Sequence, residues 1–190
     1  LPYTEKKEII ELVRGCQRQN PQAQAAFYNH YKRRLLGVCR RYAHTTFEAE
    51  DLFQEAFIKV FRYIKDLKEP ERVGLWVKSV LIRTAIDYFR KHNASYVYEN
   101  EENEGDFIEK EDDFSILDVL EREQVLEIIN KMPEGYRLVV NLYLIDGYEH
   151  AEIAEMLDIS IGTSKSQLSR AKQYLRTQLG FLAIKKYEKG

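Results

Sequence analysis

Between Tyr96 and Ser115 the chain reads YVYENEENEGDFIEKEDDFS, with nine carboxylates against a single lysine. A block carrying a net charge of −8 repels itself and stays solvated, so it behaves as a tether rather than as part of a packed core. That one segment divides the 190 residues into two folding units. Residues 1–95 hold 18 Lys and Arg against 11 Asp and Glu, a surplus of +7, while residues 116–190 hold ten against 11. The overall charge of −2 therefore conceals a basic first half and an acidic connector. The expected organisation is a first domain over 1–95, an acidic linker over 96–115 and a second domain over 116–190.

Both halves are written in helical period, with apolar residues recurring at three and four, and neither contains a run of alternating apolar and polar residues. The expected fold class is all-α, two small helical domains. On a wheel of 100° per residue, DLFQEAFIKVFRYI gathers Leu52, Phe53, Ala56, Phe57, Val60 and Ile64 on one side. Asp51, Gln54, Glu55, Lys59 and Arg62 share the other with Ile58, which gives either a solvated face or a docking face. The next helix, Leu75 to His92, places Trp76, Val77, Val80, Leu81, Thr84, Ala85 and Tyr88 inward, with Arg83, Asp87, Arg90 and Lys91 opposite. Asp87 is positioned to bridge cations a turn away. Between the two lies KDLKEPERVG, punctuated as a loop by Pro70 and Gly74. Upstream, AFYNHYKRRLLGVCRRYA is a further amphipathic helix with the basic pairs Arg33-Arg34 and Arg40-Arg41.

The second half starts near Ser115 with a helix through LEREQVLEIINKM, stopped by Pro133; GYRLVVNLYLI and a turn at Asp146-Gly147 follow. Then come EHAEIAEML, DIS and IGTSKSQLSRAKQYL: a short helix, a tight turn and a second helix, the helix-turn-helix pattern. Ser160 is placed to cap the second helix. Its inward stripe is Ser164, Leu168, Ala171 and Leu175, leaving Thr163, Ser166, Ser169, Arg170 and Gln173 outward, with Lys165 and Arg176 on the flank. From Ile159 to Tyr187 there is no acidic residue. Hydroxyls, an amide and cations on an acid-free helix suit phosphates and base edges in a DNA groove.

Enzymatic chemistry is not expected. Asp51 and Glu55 could pair as carboxylates, but they fall on a solvated face without a neighbouring histidine or a phosphate-binding glycine loop. His30, His44, His92 and His150 are scattered singly, so neither metal nor other cofactor is expected. Cys16 and Cys39, lacking CxxC spacing, are expected to be reduced core thiols. No apolar run approaches the roughly 20 residues a bilayer requires and no secretory signal is legible, so a cytoplasmic protein without membrane insertion is expected.

The stretch AEDLFQEAFIKVFRYI followed by WVKSVLIRTAIDYFRKH resembles the domain-two signature of bacterial extracytoplasmic-function (ECF) sigma factors of the sigma-70 family. MPEGYRLVVNLYLIDGYEHAEIAEMLDISIGTSKSQLSRAKQYL resembles their domain four. The resemblance spans almost the whole chain. It implies a partnership with core RNA polymerase and promoter DNA, and with an anti-sigma factor as inhibitor. By position, Asp51, Gln54, Glu55, Ile58, Lys59 and Arg62 become the polymerase-docking residues. Lys65, Lys68, Arg83, Arg90, Lys91 and Asn93 match the part that engages the minus-ten element. Ser160, Thr163, Lys165, Ser166, Ser169, Arg170 and Gln173 match the minus-thirty-five reader. Arg83 departs from the family, which more often has Asn there; it either contacts DNA or pairs with Asp87. The linker of such proteins threads through polymerase, its negative charge standing in for nucleic acid. A two-domain regulator that does not join polymerase is the alternative.

Overall fold

In a computed structural model of the chain, residues 3–92 and 122–187 are described; Asn93 and the acidic connector lie outside them. The chain divides into two compact units, Leu1–Lys91 and His92–Gly190. All regular structure among the described residues is helical.

The first unit contains α1 (Tyr3–Gln17), α2 (Pro21–Tyr42), α3 (Thr46–Tyr63) and α4 (Val73–His92). Sequence punctuation sets the starts. Asn20 accepts the Ala23 N–H at 2.9 Å with Pro21 at the first helical position, and Thr45 accepts the Glu48 N–H at 3.1 Å. α2 packs between α1 and α3. Gly15 permits the first contact: a Cβ there would come within 2.4 Å of the Ala23 Cβ, so any larger residue would push the helices apart. The six expected inward residues, Leu52, Phe53, Ala56, Phe57 and Val60 on α3 and Ile64 in the 3-10 turn that follows it, are all buried. They meet α2 through an aromatic cluster, in which Phe27 has ring centroids 4.8 Å from Tyr31, 6.4 Å from Phe57 and 6.2 Å from Phe61. Tilted and edge-on geometries of this kind add to the burial of each ring.

α4 differs from expectation in start and face. Pro70–Arg72 forms a 3-10 turn that runs directly into the helix, so α4 begins at Val73 and Gly74 belongs to its first turn rather than to the loop. Its buried arc is rotated: Val77, Leu81, Thr84 and Ala85 are inside as expected, but Ile82, Ile86 and Phe89 join them. Trp76, Val80 and Tyr88 are only half-buried. The helix is enclosed broadly, with Tyr31 of α2 near Gly74 and the His44 ring 6.0 Å from Phe89, and a one-stripe wheel does not anticipate that.

Cys16 and Cys39 are both free and buried. Burial raises the Cys16 thiol to about 11 and the Cys39 thiol to about 12, which leaves almost no thiolate near neutrality. The folded protein is expected to resist a disulfide-exchange thiol reagent at pH 8 and to yield two reactive thiols on denaturation. Rapid labelling of either cysteine in the native state would contradict this burial.

The second unit contains α5 (Arg122–Asn130), α6 (Glu134–Val140), α7 (His150–Leu157) and α8 (Ile161–Tyr187). After α6 the backbone widens into a π-turn over Asn141–Ile145, with the Asp146 N–H bonding to the Asn141 carbonyl at 2.9 Å. Gly147, at φ +79°, then turns the chain, a conformation that glycine adopts without steric cost. Leu138, Val139, Val140, Leu142, Ile153, Leu157, Leu168, Ala171, Leu175 and Leu179 form the core, and Arg137 is enclosed with them, its guanidinium 3.9 Å from Glu134. Among the described residues no helix is long and apolar enough to cross a membrane.

Candidate functional site: a docking helix and a helix-turn-helix

The helix-turn-helix is held by short-range bonds. The Glu149 N–H donates to the Glu152 carboxylate at 2.8 Å, starting α7 with a reciprocal cap. α7 ends at Asp158, which takes up the left-handed conformation at φ 58°, and the Ile159 N–H closes onto the Ala154 carbonyl at 3.1 Å. Asp is one of the few side chains that adopts this geometry readily. Ser160 then caps α8 as expected, its Oγ accepting the Thr163 N–H at 2.9 Å.

α8 buries Ser164, Leu168, Ala171 and Leu175, all four expected. Gln167 is buried as well, which the sequence reading did not include. The outward face is kept open but not uniformly free. Ser160 and Thr163 share a hydroxyl contact of 2.9 Å within the cap, and Ser166 donates to the Thr163 carbonyl at 3.0 Å. These three hydroxyls are therefore partly committed to the helix itself. Lys165, Gln173 and Arg176 are exposed, while Ser169 and Arg170 are half-buried. The most prominent groups on this face are thus the cations and the Gln173 amide.

His150, which stands alone in the sequence, has a positioning role here. Its Nδ1 lies 2.9 Å from the Oγ of the fully buried Ser164, and its ring stacks on Tyr143 with centroids 4.5 Å apart. This contact ties the start of α7 to α8 across 14 residues. The only sequence signal for it is that a serine occupies an inward position, where it needs a polar partner.

In the first domain, α3 presents Asp51, Gln54, Glu55 and Arg62 to solvent, with Lys59 half-buried. Ile58 is 61% exposed in their midst. Lys59 reaches two carboxylates, Glu55 at 3.4 Å and Asp87 of α4 at 3.6 Å. Asp87 therefore pairs across to α3 and not with Arg83, which leaves the Arg83 side chain on the exposed face. Lys65, Lys68, Arg90 and Lys91 are exposed as well. The loop bearing Lys65 and Lys68 is anchored by a residue that the sequence reading missed. Gln17, at the end of α1, donates its amide to the carbonyls of Ile64 and Leu67 at 3.1 and 3.0 Å. Nothing in the sequence couples positions that far apart.

The sigma-70 region 2 family matches residues 27–95, and the sigma-70 region 4 family matches residues 122–175. Over 183 residues the chain is 30% identical to the ECF RNA polymerase sigma factor SigW of Bacillus subtilis, covering 92% of this chain and 96% of that protein. It is 28% identical to the RNA polymerase sigma-H factor of Pseudomonas aeruginosa, covering 86% and 89%. Among solved structures, the sigma factor RpoE in complex with the anti-sigma factor NepR, from Bartonella quintana, aligns with a TM-score of 0.51 at 19% identity. That alignment covers 80% of this chain and 94% of the other.

Proposed function

The chain belongs to the ECF sigma factors of the sigma-70 family, and from that premise we propose how its named residues divide the work of promoter-specific initiation. The observation that carries the reading is the presence of both matches, region 2 and region 4, in one chain and in that order. A regulator acting apart from polymerase would leave the first match without a use.

α3 docks on core RNA polymerase through Asp51, Gln54, Glu55, Ile58, Lys59 and Arg62. An exposed isoleucine ringed by charges suits such a contact, with an apolar anchor inside a polar rim. Lys65, Lys68, Arg83, Arg90, Lys91 and Asn93 serve the minus-ten element. α8 enters the major groove at the minus-thirty-five element with Lys165, Arg170 and Gln173 foremost, while Ser160, Thr163, Ser166 and Ser169 contribute their remaining hydroxyl valences. The acidic segment 96–115 joins a first domain over 1–95 to a second over 116–190 and takes a path through polymerase. An anti-sigma factor that covers the polymerase-facing surface is the expected regulator of this chain; the structurally similar RpoE was solved in complex with the anti-sigma factor NepR. The cytoplasm is the expected place of work.

No residue performs covalent chemistry in this scheme. Two modest DNA contacts joined through polymerase raise each other's effective concentration, so promoter choice follows from spacing and summed affinity. Holding unpaired bases at the minus-ten element offsets an unstacking cost of roughly a few kcal/mol.

Recovery of DNA fragments from a random pool by the chain with and without core polymerase tests the scheme. Sequence-selective recovery should require both; equal selection by the chain alone would contradict it. Ile58→Glu combined with Arg62→Glu should weaken association with core polymerase at least tenfold in a pull-down titration. These two are preferred to Lys59, whose reversal would also break its pairs with Glu55 and Asp87. Unchanged association would remove this face of α3 from the docking surface.

A further inference from the structure

α2 carries a cationic surface that the scheme above leaves unused. Its 22 residues include five cations and no acid. Lys32 lies over the Tyr28 ring, 5.9 Å from the centroid. The other four are Arg33, Arg34, Arg40 and Arg41, and these are the i−4, i−3, i+3 and i+4 neighbours of one residue, Gly37. On a helix those four positions are the nearest surface neighbours, one turn to either side. Arg33, Arg34 and Arg40 are exposed, whereas Arg41 is half-buried with its Nε enclosed. Among the described residues no carboxylate forms an ion pair with Arg33 or Arg40.

Gly37 is the second observation. Glycine is the least favourable helix residue after proline. Here neither conformation nor packing requires it: its φ is not positive, and a Cβ would meet nothing within 4 Å. What its missing side chain provides is bare helix backbone at the centre of four guanidinium-bearing positions, a shallow cradle with a flat floor. Arginine suits this setting because its fork donates two hydrogen bonds to one phosphate.

We propose that this cradle binds the phosphodiester backbone of duplex DNA without regard to sequence, a third contact beside the two promoter elements. The proposal rests on the sigma-factor reading. The two arginine pairs lie about 10 Å apart along the helix axis. Successive phosphates of a strand are farther apart along its path than the roughly 3.4 Å rise along the duplex axis, so Arg33 and Arg34 engage a different phosphate from Arg40 while the strand passes over Gly37. The square contains only arginine and glycine and lacks the apolar anchor that a protein interface places at its centre.

The test uses the full chain with core polymerase and a fragment recovered in the selection above. Arg33→Gln together with Arg40→Gln should flatten the dependence of log affinity on log salt by about 1.8. Equivalently, the affinity lost between 50 and 200 mM salt should be about tenfold smaller than for the wild type. The change should be the same on fragments altered in either promoter element. Gly37→Ala should raise the melting temperature yet weaken DNA binding, whereas a glycine kept for packing would melt lower when replaced. An unchanged salt slope in the double variant overturns the proposal. So does a loss of polymerase association without DNA, which would make the cradle a protein-binding face. Wild-type chain that selects no fragment with polymerase fails the sigma-factor reading itself and takes this inference with it.

Discussion

Phe27→Ala should destabilise the first domain by about 3–5 kcal/mol, a large part of the roughly 5–15 kcal/mol that holds a typical domain folded, while leaving the second domain's transition in place. Phe27 has no exposed surface and stands where α2 meets α3, against Tyr31, Phe57 and Phe61. Truncation removes the ring from the centre of that cluster, and the helices around it cannot close the gap without giving up their other contacts. The two compact units make two unfolding transitions the expected signature, so urea denaturation followed by far-UV circular dichroism should show the first shifted and the second unchanged. A loss below about 1 kcal/mol would mean that Phe27 is not the keystone of this interface.

The largest effect on DNA binding should come from Arg170→Ala, at about 1–3 kcal/mol, roughly 5- to 150-fold in affinity, if Arg170 reads a base pair. Arg170 is half-buried on the outward face of α8. A half-buried side chain loses less freedom on binding than a fully exposed one. Titration of holoenzyme against fragments substituted singly through the minus-thirty-five element decides the role. Relaxed preference at one position identifies a base reader, whereas an equal loss on every fragment identifies a phosphate contact. The buried side of α8 is Ser164, Gln167, Leu168, Ala171, Leu175 and Leu179, so the loss of stability should be smaller than for a core truncation.

What was legible in the sequence follows from which forces are local. The face of α3 was readable because a single helix packed on one side leaves a clean stripe, and Leu52, Phe53, Ala56, Phe57, Val60 and Ile64 are buried as their spacing requires. The cap at Ser160 and the inward stripe of α8 were readable for the same reason: three or four residues of sequence contain the whole interaction. α4 was misread in part because it has neighbours on more than one side, so Ile82, Ile86 and Phe89 are covered by elements that its own periodicity cannot reveal. Gln17, which anchors the loop after α3, and His150, which bonds to Ser164, are polar groups whose partners lie 47 and 14 residues away. Satisfying a buried polar atom is a global constraint, and it becomes visible only when the chain is folded. The quartet around Gly37 lies between these extremes. Its basic pairs and their spacing about Gly37 are in the sequence, but the open space at that glycine, on a helix unbroken from Pro21 to Tyr42, is visible only in the fold.

The central claim, that this chain supplies promoter recognition to RNA polymerase, is tested most directly by run-off transcription in vitro with purified core enzyme. The template should carry a fragment that the chain and core polymerase select together. The account predicts transcripts with a defined start that depend on adding the chain, and that are reduced by Ile58→Glu with Arg62→Glu and by Arg170→Ala. Folded chain that binds the fragment yet supports no initiation at any selected sequence would contradict it.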